Sequence, residues 1–599
     1  MTSVARVVAV AAIAATVACN GGNNGGGDGG PDPGPPSGSN PCSSLPSTAA
    51  IAPPDEAWRA QKRTLIDGDS RYNVLEALAV HQSAGRVRGF ALRTPARSNI
   101  DIGEIAVLQD EGDLIAPANR FDLRGSGVRF TRNGSGGYDA RRIDGSFRGT
   151  LGRELSLTDD DTEPVSVPFG FPFYGATQTE AFVNSDGNVT FGEGDAASTA
   201  RNISRLLTGP PRVAPFLADL DPSTGGRVFV NATNAAYTVT WCNVRGFDMV
   251  EAITTQVTLL PDGAIEFVYA SSPAGLGDAV VGVSPGRSGD FTPVDLSGAG
   301  PAGGPEGVGE RFSADPQLDT VAVIRKFFAT HPDNYDQLIL WTDTRLVRDA
   351  FAFETTIKNE IEGLGFQVFD AASEFGSAGR LRSYAVMDFL GKYPDDPSQR
   401  VLGEYSTLGV LAHEVGHRWL AFFDIRDHTG VQSDVLLGRD LSHWSFFFDS
   451  DGSVMEGNDI EDLGGGSFRT TGAASRYSLL DQYAMGLVSP SEVPPFFYVQ
   501  SPTNVAPNRN RESSPQVGVT FNGTRRDVLI DDIIAINGPR VPSSAETPRV
   551  HRQAFLYISS AGRTPTAADI AKLDRIRVQW EPFFQTATDG RMQAITTLR

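Results

Sequence analysis

The chain has 599 residues, a formal charge of −21 and only seven histidines and three cysteines. That length calls for several hydrophobic cores. The acidity, with no basic patch, excludes nucleic acid as a partner, and no apolar stretch is long enough for a permanent membrane-spanning helix.

In chain order, Met1 to Cys19 reads as a signal segment: Arg6, then the apolar run Val7 to Ala15, then Thr16-Val17-Ala18-Cys19. Small residues directly before a cysteine resemble a bacterial lipoprotein cleavage box. The resemblance implies that Cys19 carries a lipid anchor and that the mature chain sits on the cell envelope, facing outward; ordinary cleavage and secretion is the alternative. Residues 20–54 begin with a Gly/Pro/Asn/Ser-rich run that cannot bury a core and reads as a tether. Cys42 and Cys242 are left either to pair in an oxidising compartment or to stand as two buried thiols.

Residues 55–150 read as a small, mostly β module with one helical patch at Val74 to His81. Residues 151–300 read as all-β. Short apolar runs recur between turn signals, with Asp186-Gly187 and Asp262-Gly263 placed at tight hairpins. Four segments carry a likeness here: Phe169-Gly-Phe-Pro-Phe-Tyr-Gly175, Val183-Asn-Ser-Asp-Gly-Asn-Val-Thr-Phe-Gly192, Ala214-Pro-Phe-Leu-Ala-Asp-Leu-Asp221 and Leu260-Pro-Asp-Gly-Ala-Ile-Glu-Phe267. They resemble a nidogen-type extracellular β module, which implies a sandwich with an adhesion or spacer role. Asp219 and Asp221 are candidate Ca²⁺ ligands, with a plain acidic loop as the alternative.

A Gly/Pro-rich stretch, residues 301–312, reads as a linker. From 313 to 599 the periodicity changes. Helices are expected at Leu318 to Thr330, Ala350 to Leu364, Thr407 to Phe422, His551 to Ser560 and Ala567 to Thr586. Strands are expected at Gln337 to Trp341 and Ser383 to Leu390. The expected fold class is therefore multidomain: all-β, sandwich-like modules followed by an α+β domain.

His413-Glu414-Val415-Gly416-His417 lies in the third of those helices. Residues four apart share a helix face, so both imidazoles can hold one Zn²⁺ while Glu414 takes a proton from water. This resembles the active-site helix of zincin metallopeptidases. The likeness implies that an edge strand, here Tyr384 to Asp388, holds a protein or peptide substrate as an added strand.

A catalytic zinc site needs a third protein ligand. Leu420 and Phe423 stand where a metzincin has Gly and His. His417-Arg418-Trp419 and Leu479-Leu-Asp-Gln-Tyr-Ala484 resemble gluzincin and aspzincin segments, which implies Asp481 as third ligand. His443 is the chemical rival, and Glu456, Glu461 and Asp424 are further candidates. With Asp481 on the metal, His443 or Tyr483 would serve the oxyanion, Tyr477 being another candidate. Asp449-Ser-Asp-Gly-Ser453 resembles the start of a calcium loop, making Ca²⁺ a second candidate cofactor beside Zn²⁺. The expected activity is that of a surface-anchored zinc endopeptidase with Glu414 as general base. A surface adhesin or scaffold with a residual zinc site, and a zinc aminopeptidase, are the alternatives.

Overall fold

The computed structural model describes residues 38–598 apart from 47, 50, 51, 53–58, 60, 61, 63–72, 89–98, 199, 272–276, 289, 290, 299, 348, 349, 475, 507 and 508. The expected signal segment, Cys19 and most of the tether lie outside the described residues. Among those residues the chain is mostly β with few helices, and no helix is long and apolar enough to cross a membrane.

Two large sheets share one core. One runs from Thr162–Phe173 through Ala176–Asn184, Asn188–Thr190, Arg212–Leu217, Ala279–Ser284 and Gly307–Phe312 to Phe291–Pro293. The other contains Ser126–Arg132, Tyr138–Asp144, Ile265–Tyr269, Ala252–Leu259, Tyr237–Gly246 and Arg227–Ala232. Phe171, Phe173, Val183 and Val213 from the first pack against Phe130, Tyr138, Trp241 and Phe267 from the second, all buried. This alternation of inward apolar residues is what makes two sheets a sandwich. Cys42 is bonded to Cys242, fastening the expected tether, residues 20–54, to the second sheet.

The expected linker belongs to this sandwich. Ala302–Gly304 pairs with Tyr138–Asp144, and Gly307–Phe312 pairs with Ala279–Ser284. Its glycines serve close approach rather than flexibility. A Cβ on Gly303 would lie 2.1 Å from the Tyr138 carbonyl oxygen, and one on Gly309 would lie 2.3 Å from that of Val281.

A third sheet is mixed and mainly parallel, in the order Ile100–Ile102, Ile105–Gln109, Val550–Ser559, Gln337–Thr342, Ser383–Phe389, Phe353–Thr356. Both faces are covered. Ile339, Trp341, Ala385, Met387, Phe555 and Tyr557 pack toward the helices Thr407–Gly416 and Ala567–Ala587. Leu338, Leu340, Tyr384, Val386, Leu556 and Ile558 pack toward Thr320–Phe328 and Asn73–Arg88. A five-stranded closed barrel built from Phe448–Asp449, Asn458–Gly464, Ser467–Ala473, Thr520–Val528 and Phe496–Thr503 completes the C-terminal part.

Four expectations are corrected. The described residues of 55–150 form no separate module: Ile105–Gln109 joins the mixed sheet, whereas Ser126–Arg132 and Tyr138–Asp144 join the sandwich. His551 to Ser560 is not a helix but a strand, Val550–Ser559, parallel to both of its long neighbours. A strand buried on both faces reads as a continuous apolar run, which periodicity cannot tell from a buried helix. Ala350 to Leu364 is not a helix either. Its β-branched Thr355 and Thr356 pair antiparallel with Tyr384 and Ser383. That pairing covers Ser383 to Val386, so the expected edge strand, Tyr384 to Asp388, is not a free edge over its first three residues.

His551 sits in this sheet, and burial pushes its imidazole down to about 4. Its Nε2 lies 3.2 Å from the Gln337 Oε1 acceptor. A histidine depressed in the folded state contributes stability that is complete above its unfolded value, about 6.5, and is lost as pH falls toward 4. Denaturation across pH 4–7 should show that loss, up to about 3 kcal/mol for this group. The His551→Gln variant should lose less over the same window; an unchanged slope would contradict the assignment.

Candidate metal centre

The helix Thr407–Gly416 starts where the Ser406 side chain accepts from the Gly409 N–H at 3.1 Å. Leu408, Leu411, Ala412 and Val415 face the core, which turns His413 and His417 to the opposite side. The helix is shorter than expected and ends at its second histidine, with Ala421 at φ 64° beyond it. A Cβ on Gly416 would lie 2.8 Å from Met455 Sδ, so a side chain there requires Met455, in the segment that roofs the helix, to shift.

Within that roof lies His443. The ligand atoms of His413, His417 and His443 all fall within 4.8 Å of one another, and all three residues are fully buried. His413 Nδ1 is 2.8 Å from the Val454 carbonyl oxygen, and His443 Nδ1 is 2.8 Å from that of Arg439. A carbonyl only accepts, so each Nδ1 carries a proton, and the neutral form of each ring then turns its Nε2 lone pair to the cluster. His413 Nε2 and His417 Nε2 are 3.1 Å apart. Two ligands of one ion stand a little over 3 Å apart when metal–nitrogen bonds are about 2.0–2.1 Å. Three imidazoles converging in this way fit a tetrahedral zinc ion with a fourth position left for water or substrate. Glu414, on the same helix, is also fully buried.

The structure does not bring Asp481 into this group. It stands in the first turn of the helix Leu479–Ala484, where its Oδ2 accepts from the Ser478 N–H at 2.8 Å. Its Oδ1 accepts from Trp444 Nε1 at 2.9 Å, and burial pushes the carboxyl up to about 6. Asp481 thus anchors the residue next to His443. The Tyr483 hydroxyl accepts from the Arg540 N–H at 3.2 Å, and Tyr477 donates to the Ala412 carbonyl at 2.7 Å. Both hydroxyls are engaged by backbone, not directed at an oxyanion. Glu461 pairs with Arg469, and Asp424 accepts from Gln432 at 2.6 Å. In the expected calcium loop, Asp449 accepts from the Ile460 N–H and Asp451 pairs with Arg476.

Glu456 takes part differently from what its sequence suggests. Its Oε1 lies 2.7 Å from an Arg439 NH2, and Arg439 is itself 2% exposed. Burial alone would raise the Glu456 carboxyl, but the Arg439 guanidinium beside it holds it below the usual range. Sequence reasoning missed Arg439 altogether. Its only signal is the four-residue spacing to His443. The turn that carries it is strained, with Asp440 and Leu441 at φ 60° and 52°, a conformation that costs non-glycine residues about 1–3 kcal/mol each.

A second acidic cluster lies in the sandwich. Asp159, Asp160 and Asp219 surround Lys62 Nζ at 3.1, 3.0 and 2.8 Å. Burial and the neighbouring Asp160 push Asp159 up to about 8. Asp221 pairs with Arg59 at 2.6 Å. These carboxylates already face the chain's own cations.

The NIDO related family model matches residues 137–309, under a third of the chain. It agrees with the sandwich, so this part of the protein is a nidogen-like β module. The match ends well before the histidine cluster. No solved structure matches the chain.

The roof over the helix hangs on Tyr405, whose hydroxyl donates to the Val454 carbonyl at 2.9 Å and accepts from the Glu456 N–H at 3.0 Å. Removing it in Tyr405→Phe leaves a buried N–H without its acceptor, so chemical denaturation should report a loss of about 1–3 kcal/mol. A change below about 0.5 kcal/mol, the scale of a neutral surface substitution, would show that this bond does not hold the roof.

Proposed function

We propose that the protein is a zinc-dependent endopeptidase of the cell envelope, with His413, His417 and His443 as the zinc ligands. The observation that carries the reading is the convergence of three imidazoles, two of them in an H-E-x-x-H motif and two of them, His413 and His443, with a proton held on Nδ1 by a backbone carbonyl. The helix packed on a mixed sheet is an arrangement that suits a zincin-type α+β domain. A zinc ion held there supplies Lewis-acid polarisation of the scissile carbonyl and makes water a stronger acid. Glu414 then serves as general base: it takes the proton from the attacking water and delivers it to the leaving amine. The carbonyls of Val454 and Arg439 hold two of the imidazoles in the ligating tautomer throughout.

The Cys42–Cys242 bond supports export to an oxidising compartment, consistent with anchoring through Cys19. The nidogen-like module is the part that would meet other molecules at the surface. A second reading is favoured by one observation, the complete burial of all three histidines. In it the protein is a surface binding protein and the zinc is structural.

Three variants separate these readings from one another and from ligation by Asp481. His443→Ala should lose stoichiometric zinc, whereas Asp481→Asn should keep it, as read by metal analysis after dialysis. Glu414→Gln should keep zinc and lose turnover of an unfolded protein substrate by about 10²–10⁴-fold. Zinc retained by His443→Ala and lost by Asp481→Asn would overturn the ligand set. Full zinc in the wild type with no hydrolysis would favour the structural reading.

A further inference from the structure

The inference concerns how the histidine site is loaded, and it rests on reading that site as a metal centre. The His443 proton is on Nδ1, directed at the Arg439 carbonyl, so its lone pair is on Nε2. That lone pair is in use: an Arg439 NH2 lies 2.9 Å from it. The same arginine therefore holds His443 from both sides, its carbonyl at one ring nitrogen and its guanidinium at the other. The guanidinium is in turn fixed by Glu456 at 2.7 and 3.3 Å and by Asp440 at 2.9 Å. A guanidinium keeps its protons at any physiological pH and has donors only. One imidazole lone pair serves either an N–H or a metal ion. A second cation beside the ion would also repel it.

We propose that Arg439 is a built-in competitor of the metal. With its guanidinium on His443 Nε2 the site is closed and weakly binding. With the guanidinium withdrawn, while still paired to Glu456 or Asp440, the three imidazoles are complete.

The turn that must move is placed for it. Arg439–Leu441 is a short 3-10 turn, and Asp440 and Leu441 both hold left-handed backbone that relaxation would relieve. Gly438, Asp440 and Leu441 line a cavity of about 810 Å³. Across the cavity stand Asp195, Arg205 and Arg287 of the nidogen-like module. Withdrawal of the guanidinium with Asp440 and Leu441, the Arg439 carbonyl keeping its hold on His443 Nδ1, thus frees the His443 lone pair and opens the site toward the cleft between the two parts of the protein. Metal loading and substrate access become the same event, and the nidogen-like module supplies the facing wall of the entrance.

The test is zinc titration of the full chain against a chromophoric chelator. It compares wild type, His417→Ala and the double variant Arg439→Met with Glu456→Gln. The double variant removes the buried cation and its counter-ion together, which cores tolerate far better than loss of one partner. Its zinc affinity should exceed that of the wild type by about tenfold or more, because a competing closed state lowers apparent affinity by the fraction it occupies. His417→Ala should bind weakly. Equal affinities in wild type and double variant would overturn the competition and leave the metal site standing. Equal affinities with a fall in kcat would do the same and make Arg439 a group that contacts substrate. No stoichiometric zinc in either would overturn the metal site and the competition together. A second measurement needs no variant. The rate of zinc uptake by wild type should level off as zinc is raised, at the opening rate of the turn; a rate that stays proportional to zinc would contradict the closed state.

Discussion

Two hydrogen bonds set the character of the site: His413 Nδ1 to the Val454 carbonyl and His443 Nδ1 to the Arg439 carbonyl. Both acceptors lie on the single stretch from Gly438 to Glu456, which roofs the helix Thr407–Gly416. Without that roof His413 and His417 would be two imidazoles on a helix face. With it, tautomer, ring orientation and the third imidazole are supplied at once. The roof is kept in place by few groups. Tyr405 ties Val454 to Glu456, Trp444 is anchored by Asp481, and Met455 packs closely over Gly416.

What the sequence revealed follows from where information is local. The H-E-x-x-H pair is encoded within five residues on one helix. The sandwich is encoded by alternating strands and Asp-Gly turns, and residues 137–309 match a nidogen-like family model as the motifs suggested. The third member of the histidine cluster is not local, because it depends on how a loop 26 residues downstream of His417 folds back. Likeness to other families' third ligand points to Asp481. In this chain that carboxylate caps its own helix and holds Trp444, a role any Ser-x-x-Asp turn can play. The same limit explains Val550–Ser559. Five successive buried apolar residues suit a buried helix and a central parallel strand equally, and only pairing on both sides decides.

The chain does not divide into successive modules, for a related reason. Ile105–Gln109 lies beside Val550–Ser559, although more than 400 residues separate them in sequence. Ser126–Arg132 lies beside Ile265–Tyr269. The N-terminal segment is thus divided between both halves of the molecule. A chain cut near Ser313 would leave Val550–Ser559 without one of its two long neighbours, so the C-terminal part is not an independent unit. Non-local pairing of this kind leaves no signature in composition or in turn spacing.

The central claim is that three imidazoles, not two imidazoles and a carboxylate, hold the metal. X-ray absorption at the zinc edge on the loaded full-length protein tests it most directly. The account predicts multiple-scattering features of three histidines with metal–nitrogen distances of about 2.0–2.1 Å. A spectrum that requires two imidazoles plus a carboxylate, unchanged in His443→Ala, would contradict it.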